Sequence, residues 1–131
     1  MRTLLLILLL TMNLKAFPRG SSGVYHMKGI AYSADKNILK NSELTVKIGE
    51  KVHKVMTDEN GNYDIGVRWM TACRSGSTKL HAKRETDRLN PDYIFISFDG
   101  KQIKVKNDWK NYTYWKTEEK EPVKKMDLNF V

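Results

Sequence analysis

Three histidines are the side chains in this sequence best suited to act as a base or as a metal ligand. They are His26, His53 and His81. No two of them are separated by the two or four residues that would bring two ligands to one side of a strand or helix. The sequence also lacks a Gly-x-Ser-x-Gly elbow, a His-Glu-x-x-His zinc motif and a phosphate-binding loop. We therefore predict no catalytic residue, no metal site and no cofactor.

A run of alternating oxygen-bearing side chains offers a second possible chemistry, the binding of calcium. It consists of Asp58, Asn60, Asn62 and Asp64. A helix-loop-helix calcium loop needs glycine at its sixth position and glutamate at its twelfth. Counted from Asp58, those positions hold Tyr63 and Trp69. Asn60-Gly61 is instead a strong hairpin signal, because both residues tolerate a positive φ. We favour a plain hairpin turn over a calcium loop.

Aromatic and basic residues alternate near the C-terminus and form the candidate binding surface. Its members are Trp109, Lys110, Tyr112, Tyr114, Trp115 and Lys116. Aromatic faces beside cations suit stacking on sugars or bases. The alternative is an edge strand that tucks Tyr112 and Tyr114 into the core. Asn111-Tyr112-Thr113 is also an acceptor for N-glycosylation in a eukaryotic host.

The elements that must position these residues are β-strands, because apolar residues recur at every second position. Leu44, Val46 and Ile48 alternate with polar residues over Glu43 to Ile48, and a second alternating run spans Lys51 to Thr57. The strand after Asn60-Gly61 places four large residues on one side: Tyr63, Ile65, Val67 and Trp69. We expect these four residues to line the core.

The second half of the chain shows the same pattern after an irregular middle. Tyr93 to Phe98 has the length and composition of a buried central strand, and Asp99-Gly100 predicts a tight turn. Lys101 to Lys106 predicts a strand with one wet face, and Met126 to Phe130 predicts a closing strand. Residues 70–92 are less regular, with a candidate strand at Thr78 to Ala82 and no convincing amphipathic helix. About seven short strands indicate a sandwich or barrel.

The turn between two of these strands has a specific composition. Thr57, Asp58, Gly61 and Tyr63 form the pattern Thr-Asp-x-x-Gly-x-aromatic. With the preceding Met27 to Ile48 stretch, it resembles the carboxypeptidase regulatory-like domains, which are transthyretin-like (prealbumin-like) β-sandwiches. The resemblance covers most of residues 24–131 and is strongest over 27–65. It implies an all-β, seven-stranded Greek-key sandwich in which these four residues are a structural turn.

The turn also has a physical logic of its own. The Asp58 carboxylate can accept hydrogen bonds from backbone N–H groups across the turn. Gly61 supplies a left-handed backbone conformation. Tyr63 then points into the core as the next strand starts. These residues are expected to build structure and to carry no catalysis.

The N-terminus has the composition of a secretory signal peptide, assigned to residues 1–16. A positive Arg2 precedes the apolar run Leu4 to Leu10, which is too short to span a bilayer, and a small residue follows at Ala16. Cleavage after Ala16 and cleavage near Gly20 both remain open. Residues 17–23 are expected to be a flexible linker and residues 24–131 the domain. We expect no transmembrane segment after cleavage.

Composition limits the kinds of partner that the chain is expected to bind. With 131 residues it is long enough for one domain, and its net charge of +8 favours anionic partners such as polysaccharide, lipid headgroups or nucleic acid. A solvated soluble surface is the simpler interpretation of that charge. Secretion separates the chain from nucleic acid, so we expect no nucleic-acid partner. The single cysteine, Cys73, is either a small buried residue or a free thiol.

The functional expectation is a secreted, non-catalytic accessory or binding module of the cell envelope. Its location would be periplasmic or extracellular, and its partner a protein or a carbohydrate. The alternative is a transthyretin-like carrier of a small ligand, which a dimer would favour. An enzyme ranks third: the transthyretin-like hydrolase of purine breakdown ends in Tyr-Arg-Gly-Ser, whereas this chain ends Leu128-Asn129-Phe130-Val131. The oligomeric state is open.

Overall fold

The computed structural model describes residues 22–72, 79–112 and 121–131. The strands are β1 (Ser22–Tyr32), β2 (Glu43–Ile48), β3 (Lys51–Met56), β4 (Asn62–Met70), β5 (Tyr93–Phe98), β6 (Lys101–Lys106), β7 (Val123–Lys125) and β8 (Leu128–Asn129). One α-helix, α1 (Lys79–Leu89), and a short 3-10 helix, Trp109–Asn111, accompany them. Residues 1–16, expected to be a signal peptide, and Cys73 lie outside the described residues.

Sheet one is built around β1, the longest strand. β4 pairs with β1 antiparallel from Ser22↔Met70 to Ile30↔Asn62, so the strand pairing already includes Ser22 and Gly23 at the end of the expected linker. On the other side of β1, β7 pairs parallel at residues 26–28 and β8 pairs parallel at residues 31–32. The two short C-terminal strands therefore complete sheet one.

Sheet two has the order β3-β2-β5-β6, and every neighbouring pair in it is antiparallel. Hairpins join β2 to β3 and β5 to β6, and their turns use positive φ angles at Gly49 (61°), Asp99 (50°) and Gly100 (74°). The β2–β5 pairing is the contact between the two hairpins, and it runs from Thr45↔Ser97 to Ile48↔Ile94.

The core lies between the two sheets, as the period-two alternation predicts. Sheet one contributes the buried Tyr25, Met27, Tyr63, Ile65, Val67 and Trp69, and sheet two contributes Leu44, Val46, Ile94, Ile96 and Val105. Leu128 and Phe130 from the C-terminal segment close it. The molecule is thus mostly β, with two sheets facing each other.

The predicted strand at Thr78 to Ala82 is wrong, and so is the expectation that the chain has no helix. The described part of this segment is helical from Lys79 to Leu89. Its residues are mostly good helix formers, and Arg88 pairs with Glu85 one turn earlier at 2.7 Å. Among residues 80–89, whose burial is described, only Ala82 is buried, so this part of the helix lacks the apolar stripe that helical periodicity detects. No helix in the described ranges is long and apolar enough to cross a membrane.

The expected count of seven strands is also wrong, since eight are present in the described residues. The predicted closing strand, Met126 to Phe130, is shorter than expected and is preceded by another strand, β7. The break falls where the chain passes Gly29: a side chain there would place its Cβ 2.0 Å from the Met126 carbonyl oxygen. Close approach of the two backbones interrupts the parallel pairing and divides the segment.

Candidate functional site

Thr57 fastens the polar loop before β2 to the end of β3. Its side chain is buried, and its hydroxyl donates to the Leu39 carbonyl oxygen at 2.6 Å and accepts from the Ser42 backbone N–H at 2.8 Å. Its own N–H donates to the Ser42 carbonyl oxygen at 2.8 Å. One threonine therefore satisfies backbone groups at two positions of that loop.

Asp58 closes the turn that follows. Its carboxylate accepts from the backbone N–H of Asn60 at 2.8 Å and of Asn62 at 2.9 Å. The Asn62 N–H, together with that of Asn60, holds the pKa of Asp58 below its usual value. Gly61 adopts φ +77°, where a Cβ would lie 2.2 Å from the side chain of Ile38. Asp58 and Gly61 thus stabilise the backbone conformation of this turn.

Tyr63, near the start of β4, places its side chain in the core. It is 3 % exposed, and its hydroxyl donates to the carbonyl oxygen of Met126. Burial raises the pKa of that hydroxyl. The described contacts of the four turn residues are therefore internal, and they link β3 and β4 to the C-terminal segment.

The aromatic and basic surface predicted for residues 109–116 is only partly described. Trp109 is 7 % exposed and belongs to the core, so its ring is not available for stacking on a ligand. Tyr112 stacks on Tyr25 with ring centroids 4.7 Å apart. Lys110 is exposed. Tyr114, Trp115 and Lys116 lie outside the described residues, so the surface as a whole stays a prediction.

The outer face of sheet two is a broader candidate that the sequence did not single out. Since Leu44, Val46, Ile94 and Ile96 point inward, the intervening residues of these strands point outward. The outward lysines are Lys54 on β3, Lys47 on β2, and Lys104 and Lys106 on β6. We name this surface the lysine face.

Cross-strand pairing arranges the lysine face in rows. One row runs across all four strands as Lys54, Thr45, Ser97 and Gln102. The next row is Val52, Lys47, Phe95 and Lys104, and Tyr93 pairs with Lys106 beyond it. Neighbouring members of a row are about 5 Å apart. The face therefore presents hydroxyl, amide, aromatic and ammonium groups on one open surface.

Most of the positive charge on the lysine face lacks an acidic partner. Lys54 lies 3.4 Å from a carboxylate oxygen of Glu43 and donates to the Thr45 hydroxyl. Within the described residues, Lys47, Lys104 and Lys106 have no carboxylate within 4.0 Å. The Lys104 ammonium instead lies 3.9 Å from the centre of the Tyr93 ring. The face is thus a concentrated, largely unpaired source of positive potential.

The outer face of sheet one is electrostatically different. His26 Nδ1 lies 2.7 Å from a carboxylate oxygen of Asp64, and Lys28 lies 3.6 Å from the other oxygen. Glu121 approaches His26 Nε2 at 3.7 Å. These opposite charges partly compensate each other across β1, β4 and the segment before β7, where Arg68 and Lys125 also point outward. The excess of positive charge is therefore larger on the outer face of sheet two than on the outer face of sheet one.

The calcium alternative finds no organised set of ligands. Asp58 is engaged by backbone N–H groups and Asp64 by His26 and Lys28. In the part of the chain that the structure describes, no group of three or more His, Cys, Asp or Glu side chains could hold a metal ion. His53 and His81 lie on separate elements, β3 and α1. The geometry does not favour a metal centre among these residues.

A shallow cleft lies beside the turn. Its volume is about 340 Å³, and residues from β1, the end of β3, the turn and β4 line it: Lys28, Gly29, Met56, Asp58, Asn62, Tyr63 and Asp64. This volume is at the lower end of small-molecule sites, but such sites are mostly apolar whereas polar and apolar groups contribute about equally to these walls. The cleft is a smaller and less charged feature than the lysine face.

Comparison with known proteins gives little beyond this geometry. No protein family and no curated protein matches the sequence. Among solved structures, the chain is similar to catechol 1,2-dioxygenase from Acinetobacter sp. ADP1 inhibited by bound mercury, with a TM-score of 0.43 and 16% identity over 87% of this chain. The match covers 53% of that chain, so this chain spans about half the enzyme's length. The two-sheet architecture rests on the strand pairing described above.

The prediction that the chain is not an enzyme is contradicted by this comparison, since the matching structure is that of an enzyme. That prediction rested on the lack of known catalytic motifs and on analogy with transthyretin-like binding modules, but one fold supports both binding and catalysis. At 16% identity and a TM-score of 0.43, no activity, substrate or residue role passes to this chain. Absence of catalysis is therefore no part of the function proposed below.

Proposed function

We propose that the chain is a secreted binding module of the cell envelope or extracellular space that holds a carbohydrate on its lysine face. The observation that carries this proposal is the row of Thr45, Ser97 and Gln102 across adjacent strands. Two hydroxyls and an amide at regular spacing can donate to and accept from successive sugar hydroxyls. Phe95 and Tyr93 add half-exposed aromatic surface beside the row.

A carbohydrate fits this face better than a folded protein does. The apolar core expected of a protein interface is missing: Val52 and Met56, 56 % and 59 % exposed, lie toward the β3 edge and not at the centre. At the centre, Thr45 and Ser97 carry hydroxyls that can form hydrogen bonds, and the apolar Phe95 beside them is half-buried. A protein partner remains an outcome that the binding experiment below can reveal.

Secretion and a transthyretin-like fold are further parts of the proposal. Arg2, the Leu4 to Leu10 run and Ala16 support export through a signal peptide covering residues 1–16. The Thr57–Tyr63 turn between β3 and β4, placed between two facing sheets, supports a transthyretin-like (carboxypeptidase regulatory-like) relationship. The observed arrangement has eight strands where seven were expected.

The test is binding of the purified chain to soluble polysaccharides, measured by calorimetry against a variant of the polar row. Ser97→Ala with Gln102→Ala removes a hydroxyl and an amide without changing charge. We expect this double variant to bind at least about fivefold more weakly than the wild type, with unchanged thermal unfolding. Equal affinity of the two proteins, or binding by neither, would refute a carbohydrate site on this face.

The second candidate function, a small-ligand carrier, is favoured by one observation only, the cleft of about 340 Å³ beside the turn. Its lining includes both charged and apolar side chains, so an amphipathic small molecule would suit it. A Met56→Trp substitution would fill the mouth of the cleft and should abolish binding of such a ligand. Loss of carbohydrate binding in Met56→Trp, with the polar-row variant unaffected, would move the site from the lysine face to the cleft.

A further inference from the structure

We infer that the carbohydrate is an acidic polysaccharide, whose carboxylate or sulfate groups pair with the lysines of the lysine face. This inference rests on the proposed function and adds the ligand's charge to it. A neutral glycan would need only the polar row and the aromatic rings. Within the described part of the chain, Lys47, Lys104 and Lys106 have no carboxylate partner, and their presence requires a different explanation.

The placement of the lysines relative to the polar row supports an anionic polymer. Lys54 begins the row, and Lys47 and Lys104 occupy the next row on either side of Phe95. Cations therefore lie at one end of the hydrogen-bonding row and in the row beside it, at distances comparable to one sugar unit. A chain that carries an acidic group on its sugars could satisfy both kinds of group at once.

Charge contrast within the molecule points the same way. On sheet one, Asp64 and Glu121 surround His26, and Asp64 also pairs with Lys28. On the lysine face, Glu43 is the acidic residue in the β2–β3 part and already pairs with Lys54. A general surplus of lysine for solubility would not be expected to gather on one sheet face and leave it short of acid.

Nucleic acid is a less suitable anion for this face. Single-stranded nucleic acids are held by aromatic rings with accessible faces. Tyr93 has the Lys104 ammonium over its ring, and Phe95 is half-buried within the second row, so both rings offer partial apolar surface to a sugar but neither is fully open to a stacked base. The groups that remain free on the face are suited to sugar hydroxyls and to isolated acidic groups.

The experiment compares two polymers with the same backbone, polygalacturonate and its highly methyl-esterified form, in calorimetric titrations of the purified chain. We expect polygalacturonate to bind at least about tenfold more tightly at low salt, and the difference to shrink as salt screens the charges. The face variant is Lys47→Gln with Lys104→Gln. The matched control, Lys83→Gln with Lys125→Gln, removes the same charge from α1 and from the outer face of sheet one.

The inference predicts about a tenfold loss of polygalacturonate affinity in the face variant and less than a twofold loss in the control. Equal losses in both variants would overturn it, because net charge alone would then explain binding. Equal binding of the esterified and acidic polymers would overturn the acidic ligand but leave the carbohydrate site standing. Tighter binding of a single-stranded DNA of equal charge would overturn both. Loss of binding in Ser97→Ala with Gln102→Ala tests the site separately.

Discussion

At the scale of single residues, the turn after β3 concentrates the strongest requirements on side-chain identity. Thr57 is buried, and its hydroxyl donates one hydrogen bond and accepts another. Asp58 is exposed, and its carboxylate accepts hydrogen bonds from backbone N–H groups. The two residues therefore stabilise the same turn by different means. One depends on satisfying buried backbone groups, and the other depends on a negative charge that acid can remove.

Thr57→Val should destabilise the fold although it preserves shape. The change leaves the Leu39 carbonyl and the Ser42 N–H without their hydroxyl partner, at a cost of about 1–3 kcal/mol in the free energy of unfolding. Urea denaturation measures the effect. Thr57→Ser, which keeps the hydroxyl, is the control and should lose less. Equal losses in Thr57→Val and Thr57→Ser would mean that the methyl group, not the hydroxyl, stabilises the turn.

The charge of Asp58 should contribute to the pH dependence of stability. Because the Asn62 N–H holds its folded pKa below the ordinary value, the ionised form stabilises the fold at pH values above the unfolded pKa, which is about 4. The contribution disappears as pH falls through the folded pKa. We expect the midpoint of urea denaturation to fall less for Asp58→Asn than for the wild type between pH 6 and pH 3.

Glu85→Gln is the comparison for that experiment, since the Arg88 side chain also holds the pKa of Glu85 low. Its ion pair lies on the exposed surface of α1, where such pairs contribute little. Glu85→Gln should therefore keep nearly the whole acid sensitivity of the wild type. A larger change in Glu85→Gln than in Asp58→Asn would contradict the role given to the turn.

At the scale of elements, two junctions depend on close backbone approach or on a buried amide. Gly29 allows the Met126 carbonyl to contact β1 between β7 and β8. Asn90 connects the end of α1 to the end of β4, because its side-chain amide bonds the backbone of Met70 and of Thr86. Both junctions join segments far apart in sequence to sheet one.

Gly29→Ala should detach the C-terminal strands from β1. The new Cβ would lie 2.0 Å from the Met126 carbonyl oxygen, which accepts the Tyr63 hydroxyl bond and belongs to the residue whose N–H bonds to Lys28. We expect a loss of about 3 kcal/mol and faster amide hydrogen exchange in β7 and β8. In Gly66→Ala the nearest side-chain atoms are 3.7 Å away, so this control should be tolerated. Unchanged exchange in Gly29→Ala would contradict the proposed contact.

Asn90→Ala should loosen α1. Asn90 is 2 % exposed and accepts from the Met70 N–H at 2.9 Å, so its loss leaves buried backbone groups unpaired. We expect a loss of about 1–3 kcal/mol in the free energy of unfolding and faster exchange of the α1 amides. The exposed Asn129→Ala is the control. Protected α1 amides in Asn90→Ala would show that other contacts hold the helix.

At the scale of the whole molecule, the edges of sheet two bear on the oligomeric state. The edge strand β3 carries Lys51 and Lys54, and the edge strand β6 carries Lys101, Lys104 and Lys106. Edge lysines discourage pairing of two copies through these strands, because like charges would meet. The lysine face would then stay open for a ligand.

We therefore expect a monomer when the mass of the purified chain is measured by light scattering, with and without reductant. A dimer that survives reduction would contradict this expectation and favour the small-ligand carrier. A dimer that dissociates on reduction would identify Cys73 as an intermolecular disulfide link, since the sequence has one cysteine.

The sequence by itself determined the local features of this fold. The alternation in β2 and β4 identified their buried faces, and Asn60-Gly61 located the turn between β3 and β4. These features are readable because a strand alternates faces at every residue and a tight turn needs particular φ angles. Both constraints act over a few neighbouring residues.

Tertiary structure decided everything that depends on distant partners. The helix α1 lacks an apolar stripe and is anchored by Asn90 to β4, so its own pattern could not reveal it. The division of the C-terminal strands depends on Gly29, almost a hundred residues earlier in the chain. The lysine face exists only because β2 pairs with β5, which brings Lys47 and Lys104 to either side of Phe95. Local periodicity indicates which side of a strand is exposed to solvent. Only strand pairing determines which exposed sides together form one surface.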